Sequence, residues 1–157
     1  MAAETPHEPF GATVTGVAAL VPSAPIRDAI PAGQKGITTG QVETWLDELS
    51  NTVDLRLAGR ERLRDDARKA ALVDAARGVV CNGVASYVEA ARFAERAAVA
   101  DTSYAEVLWR RYQSGLGELA SLLAGWLADE DDAVPEPTGG GPAWSFPETA
   151  FPDGMRF

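Results

Sequence analysis

The chain has 157 residues, 46% of them apolar, and one cysteine: enough for a real core, too few thiols for an internal disulfide or a multi-cysteine zinc site. Its 14 lysines and arginines are outnumbered by 23 acidic residues, a net charge of −9. That balance argues against a general nucleic-acid binder, which releases phosphate counterions with an excess of cations, and for a protein that lets DNA pass.

Residues 1–12 read as a loose arm. "TVTGVAALVP" (13–22) predicts a short helix, capped by Thr13 or Thr15 and stopped by Pro22. Three prolines and two glycines make 22–36 a connecting loop. In "ITTGQV", Thr38 caps the next helix while Gln41 completes the capping box, and Ile37 and Val42 hold the hydrophobic-staple positions. Val42, Trp45, Leu46 and Leu49 then mark one helical face that ends near Asn51. "TVDLRL" alternates Val53, Leu55 and Leu57 with polar residues, as a short strand or an extended connector would, until Gly59 breaks it.

Residues 65–96 are alanine-rich and free of proline, with a stripe of Ala71, Leu72, Ala75, Val79, Val80, Val84, Tyr87, Val88 and Ala91. Asp65 and Asp66 suit the start of a helix, and Arg92 and Arg96 suit its end. Such a helix is about 48 Å long, and Gly78 or Gly83 either bends it or marks close packing by a neighbour. Ser103 with Glu106 opens a last helix. Its apolar face runs from Tyr104 through Val107, Leu108, Tyr112, Leu116, Leu119, Leu122, Leu123 and Trp126 to Leu127 and ends near residue 128. The acidic run "DEDD" (129–132) and "AVPEPTGGGP" follow as a flexible linker. The expected fold is all-α: a small bundle of two long antiparallel helices with one or two short ones, and extended N- and C-terminal arms. The expected division is an arm with a short helix over 1–36, a helical core over 37–130, and a linker with an aromatic tail over 131–157.

Chemistry finds little footing. His7 is the only histidine and lies in the proline-flanked arm, which leaves no oriented base or ligand. Cys81, in "GVVCNGVASY", reads as a buried inert thiol. The acidic run lacks the spaced oxygens of a calcium loop, and "GGG" (139–141) lacks the lysine of a phosphate loop. No enzyme activity, metal or cofactor is expected. No apolar stretch approaches the roughly 20 residues of a membrane span, and "MAAETPHEPF" is not a signal pattern. Assembly in a cytoplasm follows, with no membrane partner.

Two features point to partners. "RLAGRERLRDDARK" gathers Arg56, Arg60, Arg62, Arg64, Arg68 and Lys69 against three acids. It is either a solvated lead-in with local ion pairs or an electrostatic docking surface for an acidic partner or a second copy. The tail "PAWSFPETAFPDGMRF" spaces Trp144, Phe146, Phe151 and Phe157 with Pro142, Pro147 and Pro152. Burying four rings gains less than ordering sixteen residues costs, so backbone bonds to a partner or many copies acting together are needed to fix it. The anchoring residues are then Trp144, Phe146, Pro147, Phe151, Pro152, Met155 and Phe157; the alternative is a tail folded back on its own helices.

The order of these segments carries a resemblance. "VAALVP", "ITTGQVETWLDEL", "VDLRLAGRERL", "AARGVVCNGVASYVEAA", "SYAEVLWRRYQSGLGEL" and the closing "FPDGMRF" together resemble the head-to-tail adaptor (connector) proteins of long-tailed bacteriophages of actinobacteria, over roughly 13–157. The resemblance implies a virion protein at the head–tail junction, forming a ring of typically about twelve copies under the portal protein. Such a ring extends the DNA channel, offers a platform to the next head-completion (stopper) protein, and uses terminal extensions to grip the portal or adjacent subunits. A different expectation from the same residues is a small helical adaptor module that captures one cellular partner through its aromatic tail.

Overall fold

The computed structural model describes residues 7–32, 34–92 and 104–132. Four helices dominate: α1 (Val14–Leu20), α2 (Thr39–Arg56), α3 (Asp66–Arg92) and α4 (Tyr104–Asp132). Two two-residue strands, β1 (Ile26–Arg27) and β2 (Ile37–Thr38), pair in parallel and pin the loop between α1 and α2. The protein is a small all-α bundle.

Helix starts follow local chemistry. Thr13 accepts from the Gly16 amide at 3.1 Å and caps α1. Thr38 and Gln41 form the expected capping box on α2: the Gln41 amide donates to Thr38 Oγ1 at 3.2 Å, and the Thr38 amide donates to Gln41 Oε1 at 2.9 Å. Asp65 caps α3, accepting from the amides of Ala67 at 2.8 Å and Arg68 at 3.3 Å. The Ser103 cap proposed for α4 lies outside the described residues, as does Arg96.

α3 and α4 are antiparallel neighbours. Val79 meets Gly115, Gly83 meets Tyr112, and Tyr87 stacks on Trp109, so numbering rises on one helix as it falls on the other. α2 lies across the same pair, with Leu49 against Gly83 and Trp45 against Tyr87. A Cβ built on Gly83 would stand 2.6 Å from Leu49 and 2.8 Å from Tyr112, so Gly83 is a close-packing glycine; Gly78 meets nothing within 4 Å.

The ends of α2 and α4 and the stripe of α3 differ from expectation. "TVDLRL" is neither strand nor connector: α2 continues past Asn51 to Arg56. The buried positions Val42, Leu46, Leu49, Val53 and Leu57 keep helical spacing, and Leu55, which made the stretch look alternating, is 79% exposed. α4 likewise runs on through the acidic residues to Asp132 rather than stopping near 128. The stripe of α3 is shifted, with Ala76 buried while Ala71, Ala75 and Ala91 are exposed.

The arm is not loose from His7 onward. Gly11, at φ 68°, turns the chain so that the His7 amide bonds the Ala12 carbonyl at 2.9 Å. Phe10 and Ala12 are fully buried in the same cluster as Val17, Val21 and Ala24, so the core extends N-terminal of residue 37. Arg77 Nε donates to the Phe10 carbonyl at 3.0 Å, and the Arg60 guanidinium lies over the Phe10 ring at 5.6 Å.

Candidate functional site

The arginine-rich segment sits at one end of the bundle, where α2 leaves for α3 through a 3₁₀ turn at Ala58–Arg62. Arg56 closes the last turn of α2, where a cation complements the helix dipole. Arg60 is only 15% exposed; it bonds Asp54 and lies 3.4 Å from Glu61. Arg68 and Lys69 pair one turn back with Asp65 at 3.6 Å and Asp66 at 3.8 Å, and the Arg68 guanidinium covers the Trp126 ring at 5.6 Å.

The Arg62 side chain and the Arg64 backbone meet the acidic run. Arg62 lies 3.3 Å from Asp131, and the Arg64 amide donates to Glu130 Oε2 at 2.8 Å. Gly59 packs beside Leu127 at the same junction. The acidic surface faced by this cluster is thus in part the chain's own α4. Arg62 and Asp131 are 64% and 70% exposed, a setting in which an ion pair is worth about 0–1 kcal/mol.

The proposed anchoring residues Trp144, Phe146, Pro147, Phe151, Pro152, Met155 and Phe157 lie outside the described residues, so the geometry neither joins them to the arginine cluster nor separates them from it.

Cys81 is buried where α3 meets α1, 3.2 Å from the position a Cβ on Gly16 would take. Burial pushes its thiol up, against smaller opposing effects of the Thr13 backbone and Arg77, so it stays a neutral packing group. His7 is better held than its proline-flanked setting suggested: Nδ1 lies 2.6 Å from Asp47 Oδ1, and its side chain is 15% exposed. That pair ties the arm to α2. Among the described residues no three of His, Cys, Asp and Glu gather as a metal-holding group, and no helix is long and apolar enough to cross a membrane.

The opposite end of the bundle holds a feature that stripe-reading did not assemble. Trp45, Tyr87, Trp109 and Tyr112 form a ladder across α2, α3 and α4. Trp45 meets Tyr87 edge-on at 5.9 Å, Tyr87 stacks on Trp109 at 5.7 Å, and Trp109 stacks on Tyr112 at 4.8 Å. The first three rings are half-buried and Tyr112 lies beneath them. Burial raises both phenols, with Glu48 adding to the rise at Tyr87, and Tyr87 adding to it at Tyr112 against the opposing charge of Arg56. Trp45 also lines an adjoining groove. In the sequence Trp45, Tyr87 and Tyr112 stand in three separate stripes, and Trp109 stands in none of them.

Glu89 also escaped notice. It is 5% exposed within the "SYVEAA" stretch of α3, and its Oε2 has no hydrogen-bond partner among the described residues, as is true of Ser50 Oγ. A buried polar atom left without a partner is costly.

Compared with known proteins, the chain matches no family model, no curated protein and no solved structure.

Proposed function

We propose that this protein is a non-enzymatic structural adaptor of a phage virion, forming a ring under the portal that extends the DNA channel and joins the head to the next connector protein and the tail. The observation that carries the reading is the composition of Trp144–Phe157, an aromatic, proline-spaced segment that follows three consecutive glycines at 139–141. A segment of that composition gains most from burial against another polypeptide. The resemblance in segment order over 13–157 supplies the setting. The net charge of −9 supports it, because a channel wall must let DNA slide without sticking.

In this reading Trp144, Phe146, Phe151 and Phe157 grip the portal or the next subunit. The cations of 56–69 contribute less to partners, since Arg60, Arg62, Arg68 and Lys69 already face acids of their own chain. The test is to image purified virions, or the chain mixed with its portal. A closed ring of about 200 kDa, built from about twelve 16.6 kDa copies at the head–tail junction, is the expected outcome. A 1:1 complex of modest mass with a cellular partner favours the small protein-binding module instead.

A further inference from the structure

A groove of about 590 Å³ opens between the loop that carries β1 and β2, the first turns of α2, and the last described turn of α3. Ile30, Ile37, Trp45 and Ala91 line it, together with Lys35 and Arg92. Trp45 is also the first ring of the aromatic ladder, so groove and ladder share that side chain. Aromatic-lined grooves suit proline-rich extended segments, whose backbone is already restricted before binding.

The chain carries such a segment beyond the described residues. Pro142, Pro147 and Pro152 recur at five-residue intervals beside Trp144, Phe146 and Phe151.

Reach decides whose segment fits. α4 runs away from the ladder, so Asp132 lies about 35 Å beyond Trp109 along the helix axis. Trp144 is twelve residues further on, and a free coil of that many residues would span about 19 Å on average. Returning to the groove of the same molecule demands a nearly straight chain of about 40 Å. A neighbouring copy placed end to side demands no such extension.

We infer that residues 142–157 of one copy dock in the Ile37–Trp45 groove of a neighbouring copy. The contact is head-to-tail, using two different surfaces, which is the kind that closes into a ring or runs on as a filament. It rests on the reading of residues 142–157 as an anchor, and names the surface that receives it.

The full-length chain has four tryptophans, and a Trp144→Ala, Phe146→Ala, Phe151→Ala variant leaves Trp45, Trp109 and Trp126 as indole N–H signals in nitrogen-15 NMR. Trp126 lies at the far end of the bundle, beneath Arg68, and serves as the internal control. The expected result has three parts. The Trp45 signal of the native chain shifts along a dilution series, that of the variant stays fixed, and a synthetic peptide of residues 142–157 moves Trp45 of the variant saturably without moving Trp126. A native-to-variant offset that persists on dilution overturns the inference in favour of the chain's own groove. No difference between the two, or a peptide that moves Trp126 alone, overturns it outright. If the chain is still found beneath the portal in any of these cases, the inference fails and the adaptor reading stands.

Discussion

Gly83 is where α2 and α4 both press on α3, and a methyl group there has nowhere to go. Leu49 and Tyr112 are buried and held by their own neighbours, so Gly83→Ala is expected to destabilise the fold by about 1–3 kcal/mol through overpacking. Gly78, five residues earlier on the same helix, meets nothing within 4 Å; Gly78→Ala is expected to stabilise by up to about 1 kcal/mol, the helix-propensity difference alone. Urea unfolding of the two variants should move in opposite directions. A second residue-scale expectation concerns alkaline pH. Burial holds Cys81, Tyr87 and Tyr112 protonated above their ordinary values of 9.0 for the thiol and 10.0 for the phenols. The unfolded chain gives up those protons first, so their contribution is intact below about pH 9 and is lost as pH rises through the unfolded values toward the raised folded ones. Circular dichroism against pH should show an alkaline limb that moves to higher pH in Tyr112→Phe and in Cys81→Ala.

At the scale of elements, the arm from His7 to Ala12 behaves as part of the core. Phe10→Ala is expected to cost about 3–5 kcal/mol, as for other buried aromatics, and to lower hydrogen-exchange protection at His7, whose amide closes the turn on Ala12. No sign change or rescue is expected from replacing Asp47, an exposed partner. Sequence alone made the helix starts legible, because caps such as Thr13, Thr38 with Gln41, and Asp65 act within three residues of themselves. Helix ends and arm docking were not legible, for tertiary reasons. The end of α2 depends on Val53 and Leu57 reaching the core while Leu55 points to solvent, a choice that a two-residue alternation conceals. Phe10 is fixed by Arg77, 67 residues away, and by Arg60. An acidic run at a helix C-terminus opposes the helix dipole, yet α4 continues through it because Arg62 and the Arg64 amide answer Asp131 and Glu130. The aromatic ladder needed the antiparallel registers of three helices before its rings became neighbours.

For the whole molecule, the buried cluster draws on residues from Phe10 to Leu123, a continuous core spanning all four helices. On the adaptor reading proposed above, deleting residues 139–157 is expected to leave the melting temperature within about 2 °C of the full chain while abolishing incorporation beneath the portal; a large drop on deletion would show the tail to be core. Leu55, 79% exposed on the outer face of α2, should tolerate Ala with a change within about 0.5 kcal/mol by thermal melting. The pairing of Arg62 with Asp131 and of the Arg64 amide with Glu130 has one more consequence. It clips down the final helical turn before the linker begins, and its charges stand in water, where 1 M salt shortens their range from about 8 Å to about 3 Å. Unwinding residues 129–132 lengthens that stretch of chain by about 7 Å. On the adaptor reading proposed above, ionic strength thereby adjusts how far from the bundle a partner can be caught.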